Sequence, residues 1–290
     1  MTKRSCRTLK GYETMSKITS TEELELMRKS GEMSAKAMKK VLEAVKPGAN
    51  LLDLEKIATE EIKRLGGESS FKSVPGYYWT TCLTVNDEVV HGIPRNIVLK
   101  KGDKLSVDLG ALYKGWHTDT AWSVIVDYNN VIASEARQSN QTQIDQIATS
   151  PEAPRDDKSR FLAVGEEALW IGIKQAKAGN RVGDISEAIQ EVVEGKGYHV
   201  VRSLVGHGVG KELHEEPEVP GFGKRGTGPV LQEGMTIAVE VIYTEGTEDV
   251  IVEDDRWTIS SADGSWGGLF EMSLIVGKEK AEVLTDWRKV

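Results

Sequence analysis

The sequence predicts an α+β domain made of two related halves, with helices flanking a core of antiparallel strands. Three observations carry this expectation. A helix-turn-helix phrase occurs twice, two strongly apolar strand-like runs lie in the second half, and a strand-turn-strand pattern lies in the first.

The repeated phrase comes first. VKPGANLLDLEKIATEEIKRLGG (45–67) aligns without a gap on AKAGNRVGDISEAIQEVVEGKGY (176–198) at a constant offset of 131. Lys46/Lys177, Gly48/Gly179, Asp53/Asp184, Glu60/Glu191 and Gly66/Gly197 are identical pairs, and Leu51/Val182 and Leu54/Ile185 match in type. Unrelated helical segments share glycine stops and apolar spacing, but not five ungapped identities; duplication is the better account. Two related halves place a site between them, where neither alone closes a pocket.

Residues 20–45 read as an amphipathic helix, with Leu24, Met27, Met33, Met38, Val41 and Leu42 at helical spacings. Thr21 is its expected N-cap and Pro47-Gly48 its stop. A second helix over about 52–65 ends at Gly66-Gly67. Residues 129–158 hold no aromatic side chain and many Gln, Ser and Asn. They read as a surface insertion ahead of a helix starting near Ser159. Residues 230–243 and 268–276 read as strands. Residues 1–17 are expected to be a flexible extension, with Met1 or Met15 as the start, and 18–290 one catalytic domain.

Composition narrows the function classes. With 39% hydrophobic and 28% charged residues the chain is globular, and its 290 residues suffice for a well-buried core. A net charge of -8 argues against a broad surface for DNA or anionic membrane. Cys6 and Cys82 are too few for a disulfide framework or a thiolate zinc site. The N-terminus lacks the apolar core of a signal peptide, and no run approaches a membrane span. A cytoplasmic protein is expected.

Chemistry concentrates in three places. In DKLSVDLGALYKGWHTDTAWSVIV (103–126), Asp108 and Asp119 lie equally far from the Tyr113–Lys114 link. A symmetrical hairpin would make them cross-strand neighbours, Cβ atoms about 5 Å apart. Two such carboxylates repel unless one is protonated or a cation lies between them. Next, GHGVGKELHEEP (206–217) sets His207 among Gly206, Gly208 and Gly210, with His214 seven residues on. Last, Glu240 and Glu271 each sit alone inside an apolar run, MTIAVEVIY (235–243) and GLFEMSLIVG (268–277). A buried carboxylate needs a cation or a proton. Four carboxylates and an imidazole suit Mn(II), Fe(II), Co(II) or Zn(II), and their charge matches two divalent ions.

VNDEVVHGIP (85–94), the DLG…HTD hairpin, GHGVGKELHEEP and the two strand glutamates together resemble type I methionine aminopeptidases of the pita-bread (creatinase/aminopeptidase) fold. The match runs from about residue 18 to 290 apart from the 129–158 insert, and that fold's pseudo-twofold halves would account for the repeat. The resemblance implies a hydrolase that removes the initiator methionine from nascent proteins when the second residue is small. It implies two divalent ions bridged by Asp119 and Glu271, with Asp108 completing one site and His207 with Glu240 the other. A metal-activated water would attack the scissile carbonyl, with Glu240 as general base. His214 would stabilise the oxyanion and His91 contact the scissile amide nitrogen. Tyr77, Cys82, Leu213 and Trp257, joined by Phe71 and Val74, fall where the family lines its methionine pocket. Partners implied are N-terminal peptides and transient ribosome contact, for a monomeric protein.

Three positions depart from the family pattern: Val241 after Glu240, Met272 after Glu271, and Leu269 two before Glu271. They are expected to tune efficiency, metal preference and specificity. Two other readings remain: an X-Pro aminopeptidase or dipeptidase of the same fold, and a non-catalytic pita-bread binding protein. The HEEP segment and short N-terminal region favour the methionine enzyme over the first, and the complete ligand set weighs against the second.

Overall fold

Helix α1 (Thr21–Ala44) forms because Met27, Met33, Met38, Val41 and Leu42 share one buried face. Its N-cap is Ser20, one residue before the expected Thr21. The Ser20 hydroxyl accepts from the Glu23 amide at 3.2 Å, while the Glu23 carboxylate accepts from the Thr19 amide at 2.9 Å. Neighbouring hydroxyls are equally able to cap, and the extended backbone at Ser20 selects between them.

The computed structural model describes residues 17–127 and 157–290. Most of the expected extension and insertion therefore lies outside the described residues. Lys17 belongs to the fold: it bridges Met235, and its ammonium donates to Gln232 at 3.2 Å. Asp157 and Lys158, expected in the insertion, open α3 (Asp157–Gln175).

Helices α2 (Leu51–Arg64) and α4 (Val182–Gly195) begin and end at the same offset of 131 that the sequence repeat shows. The flanking turns match as well, with φ of 91° at Gly48 and 92° at Gly179, and 87° at Gly66 and 84° at Gly197. Positive φ is what selects glycine at all four.

The strands of the first half are β1 (Glu68–Ser69), β2 (Thr81–Val85), β3 (Glu88–Val90), β4 (Lys104–Leu109), β5 (Ala111–Tyr113), β6 (Trp116–His117) and β7 (Thr120–Ile125). Those of the second are β8 (His199–Val200), β9 (Gly206–Gly208), β10 (Glu215–Val219), β11 (Thr236–Thr244), β12 (Val250–Val252), β13 (Ile259–Ser261), β14 (Gly267–Ile275) and β15 (Glu282–Val283). The main sheet runs β10-β9-β11-β14-β7-β4-β2, with β8 on β11 and β15 on β14. Strands β9-β11-β14 meet β7-β4-β2 at the β14–β7 pair, so one three-strand order is reversed about that seam. This is the duplicated α+β arrangement the sequence predicts.

Period-2 alternation splits the sheet's two faces. Ile237, Val239 and Val241 of β11 and Phe270, Met272 and Leu274 of β14 join Met33, Met38, Leu51, Leu169, Ile185 and Ile189 of the helices in the main core. Glu240 and Glu271 point to the face the helices leave open.

The hairpin carrying the two aspartates differs from expectation in register. Asp108 pairs with Ala121, and Tyr113 with Trp116, so the turn is centred on Lys114-Gly115. Both turn residues have positive φ, 48° and 82°, which fits the right-handed twist of a two-residue hairpin loop. Asp119 is therefore diagonal to Asp108 rather than opposite it. A two-residue displacement keeps both on one face, so the prediction of a shared face survives the wrong register.

Candidate metal centre

Five donors converge on the open face across the seam. Glu240 of β11 lies directly opposite Glu271 of β14, Glu271 lies opposite Ala121 of β7, and Ala121 opposite Asp108 of β4. Asp119 immediately precedes β7. His207 of β9 pairs with Ala238, diagonal to Glu240. Asp108 and Glu240 thus occupy corresponding strands of the two halves, while Asp119 and Glu271 flank the seam.

Local contacts fix Asp119 and His207. The Asp119 amide donates to the Ser273 hydroxyl at 2.8 Å, and that hydroxyl lies 2.8 Å from the Asp119 carbonyl. The Thr120 amide caps one Asp119 carboxylate oxygen at 2.9 Å. His207 Nδ1 lies 2.9 Å from the Gly208 carbonyl, which suits a proton on Nδ1 and a free lone pair on Nε2. That Nε2 sits 4.0 Å from Asp119 Oδ2 and 3.9 Å from Glu271 Oε1. A Cβ at Gly208 would stand 2.2 Å from the Glu216 carbonyl, so only glycine lets β10 approach β9 this closely.

Electrostatics show what the cluster lacks. Burial raises the Asp119 carboxyl to about 7, and burial with the Asp119 charge raises Glu240 to about 8. Asp108 and Glu271 move upward too, through burial and then their neighbours' charges. Glu240 keeps some open surface, so water screens it more than the others. Burial lowers His207 to about 4, leaving a neutral imidazole at pH 7. Asp108 Oδ1 and Glu271 Oε1 are buried without hydrogen-bond partners. Ligating atoms of Asp119, His207 and Glu271 lie within 4.8 Å of one another. Orphaned oxygens, mutual carboxylate repulsion and a neutral imidazole are the conditions a divalent cation relieves, and the donor set fits one.

The remaining expected residues surround this centre. His214 stacks edge-on against His207 with ring centroids 4.4 Å apart. By accessible surface the residue is exposed. Surrounding protein, and then the His207, His91 and His117 rings, push its pKa well below the ordinary value. His91 lies at the end of β3 with φ of 58°, a strained setting for a side chain; burial lowers its pKa to about 4. Phe71, Tyr77, Cys82 and Leu213 form a separate buried cluster, with Val74, Trp79, Ile93 and Trp257 packed on it. Tyr77 and Trp257 meet edge to face at 5.1 Å. Cys82 pairs with Asp108 across β2–β4, which sets this apolar cluster at the edge of the centre.

Sequence reasoning gave no role to His117, although it stands inside the HTD segment. It is buried, its Nδ1 lies 3.1 Å from the Ser70 hydroxyl, and its amide donates to Gly210 at 2.7 Å. It thereby ties the aspartate hairpin to the histidine loop. Of the three departures, Val241 and Met272 face the helical core, on the far side of the sheet from the centre. Leu269 shares the ligand face and packs with Val89, Val90, Val201 and Ile242.

The fold and centre define a class: a duplicated α+β metalloprotein with its site at the seam between halves. The chain belongs to metallopeptidase family M24, whose sequence profile matches residues 25–260. That span includes Asp108, Asp119, His207 and Glu240; Glu271 lies beyond it and joins them through the register of β14. A methionine aminopeptidase of Mycoplasma capricolum is 37% identical over 268 residues, covering 92% of this chain and 97% of that one. The crystal structure of a methionine aminopeptidase from Thermotoga maritima superposes with a TM-score of 0.82 at 38% identity, covering 94% of this chain and 99% of that one. A prolidase from Pyrococcus furiosus shares the fold at a TM-score of 0.68 and 21% identity, covering 92% of this chain and 65% of that one. The pita-bread fold expected from the resemblance is the fold observed. Among the described residues no helix is long and apolar enough to cross a membrane.

Proposed function

We propose that this protein is a divalent-metal-dependent aminopeptidase that removes N-terminal methionine from nascent proteins whose second residue is small. The observation that carries the reading is the convergence of Asp108, Asp119, His207, Glu240 and Glu271 on one sheet face beside an apolar cluster. Similarity along nearly the whole length of proteins named methionine aminopeptidase supports the substrate. Prolidases share only the fold at low identity, which does not favour an X-Pro substrate.

In this reading Asp119 and Glu271, at the seam, would hold the cations together with Asp108 on one side and His207 with Glu240 on the other. Bound divalent cations supply Lewis acidity and a water acidified toward neutral pH. Glu240, ionised once cations neutralise the cluster, would accept and pass on a proton as general base. His214, neutral and exposed, would donate toward the developing oxyanion. His91 meets the scissile amide nitrogen. The methionine thioether occupies the cluster of Phe71, Tyr77, Cys82, Leu213 and Trp257, where a flexible apolar chain packs well. Physiological partners are N-terminal peptides of nascent chains, with transient ribosome contact by a cytoplasmic monomer.

The deciding experiment is methionine release from Met-Ala-Ser by chelator-stripped protein reconstituted separately with Mn(II), Fe(II), Co(II) and Zn(II). Metal-dependent release, lost in Asp108→Ala, is the expected result. Preferential release from Ala-Pro-Ala would overturn the substrate, and folded protein inactive with every metal would overturn the activity.

A further inference from the structure

Lys104 is a lysine with no exposed surface, set in the middle of a sheet protein. It lies on β4 four residues before Asp108, so by alternation both point to the open face. Its ammonium donates to the Glu88 carbonyl at 2.8 Å and the Ser106 hydroxyl at 3.3 Å, and stands 3.5 Å from the Thr84 carbonyl. Ser106 continues to Ser123 of β7 at 2.8 Å. The Ser123 hydroxyl lies 2.8 Å from the Leu269 carbonyl of β14, and the Leu269 amide donates back at 3.0 Å. A polar ladder therefore crosses β4, β7 and β14, two residues along from Asp108 on β4 and from Glu271 on β14.

The upper end of this ladder holds the segment that bears His91. Strand β3 folds back over β2, and the Leu83 amide donates to the Gly92 carbonyl at 2.7 Å. A Cβ on Gly92 would stand 2.4 Å from the Leu83 carbonyl, so the crossing is tight. His91 sits between this crossing and Glu88, in a left-handed conformation that the surroundings must maintain. Burying an ammonium here is costly, and the three partners around it are what offset that cost.

We infer that Lys104 is a positioning residue for His91, registering the β3 segment against the strands that carry Asp108 and Glu271. This rests on the reading of His91 as the group that meets the scissile amide. Lys104 touches neither substrate nor ligand; it acts through the Glu88 carbonyl and the serine ladder. An apolar side chain would fill the same space without fixing that carbonyl.

The test is a double-mutant cycle on the metal-loaded enzyme with Met-Ala-Ser, using Lys104→Met and His91→Ala alone and together. Lys104→Met is expected to lower kcat at least fivefold with KM within twofold and bound metal unchanged. In the His91→Ala background the same substitution should change kcat less than twofold. Amide hydrogen exchange over residues 85–91 should quicken in Lys104→Met but not in His91→Ala. Where Lys104→Met fails to fold, Lys104→Gln, which keeps a shorter donor, takes its place in the cycle: it should lower kcat at least twofold with KM and bound metal unchanged, and an unchanged kcat would overturn the proposal. Equal losses in both backgrounds, or an unchanged kcat in Lys104→Met, would overturn the positioning role. Full turnover in His91→Ala alone would overturn the reading of His91 itself, a separate outcome.

Discussion

Replacing Lys104 by methionine should change how stability depends on pH, in a direction and size the structure sets. Burial lowers the Lys104 ammonium from 10.5 to about 7, partly opposed by Glu88 and Asp87. A lysine whose folded pKa is depressed binds fewer protons in the fold than in the unfolded chain between these values. Stability contributed by this residue therefore rises with pH from about 7 to 10.5. Each full unit in that window is worth about 1.4 kcal/mol. Half-titration near the lower end reduces the gain from pH 7 to pH 9 to about 2 kcal/mol. The assay is urea unfolding of metal-free wild type and Lys104→Met at pH 6, 7, 8 and 9. Lost packing and hydrogen bonds displace the two curves by a constant, so the change in their difference isolates the titration. Wild type should gain on the variant by about 2 kcal/mol between pH 7 and 9 and little below pH 6. A difference that stays flat, or shrinks as pH rises, would refute a neutral-poised buried amine.

Other expectations follow from the centre and its supports. His214→Ala should lower kcat by roughly 10² to 10³ while binding metal as wild type does, read by turnover and metal content together. Asp108→Ala should lower metal affinity by about a hundredfold or more, read by competition with a fluorescent chelator. Removing metal should expose carboxylate repulsion: with Asp119 raised to about 7 and Glu240 to about 8, metal-free stability should fall as pH rises from about 4.5 to 8. Added Mn(II) should flatten that fall, and a metal-free protein insensitive to pH there would contradict it. Gly165→Ala should cost about 1 to 3 kcal/mol in urea unfolding, because its Cβ would meet Tyr243 Oη at 2.5 Å and Phe270 Cδ2 at 2.6 Å.

The chain's repeat carried most of the fold. Gly48, Gly66 and their partners Gly179 and Gly197 mark turns whose positive φ only glycine meets cheaply, so both turns stayed visible in sequence. Glu240 and Glu271 were legible because a lone carboxylate in an apolar strand is costly, and that cost shows in one dimension. Hairpin register was not legible. Tyr113-Lys114-Gly115 admits more than one turn centre, and the choice rests on twist and on β5 and β6 leaving the main sheet to form a small sheet in which β5 pairs β1. Ser20 against Thr21 was lost for a similar reason, since identical chemistry at adjacent positions leaves backbone geometry to decide. His117 and Lys104 were missed because their partners, Ser70 and Glu88, are remote in sequence or offer only a carbonyl, which has no residue signature.

The symmetry of the fold explains why the centre takes the form it does. Duplication places matching strands, β4 and β11, at equal distances on either side of the β14–β7 seam, and each brings one outer carboxylate, Asp108 and Glu240. The seam strands bring the inner pair, with Glu271 inside β14 and Asp119 just ahead of β7. A symmetric set of four carboxylates would hold two equivalent cations and leave nothing to distinguish attack from departure. His207 breaks that equivalence: it enters from β9 on the Glu240 side, while the corresponding strand, β2, offers Cys82 beside Asp108. Cys82 hydrogen-bonds Tyr77 at 3.1 Å and belongs to the apolar cluster. One half thus supplies two neutral imidazoles, His207 and His214, and the other supplies most of an apolar cluster. On the proposed function, a peptide whose first side chain filled that cluster would direct its α-amino group and scissile carbonyl to different ends of the centre. On the same reading, selectivity for the first residue would then arise from what β2 and β9 carry, strands that lie outside the repeated 45–67 and 176–198 segments.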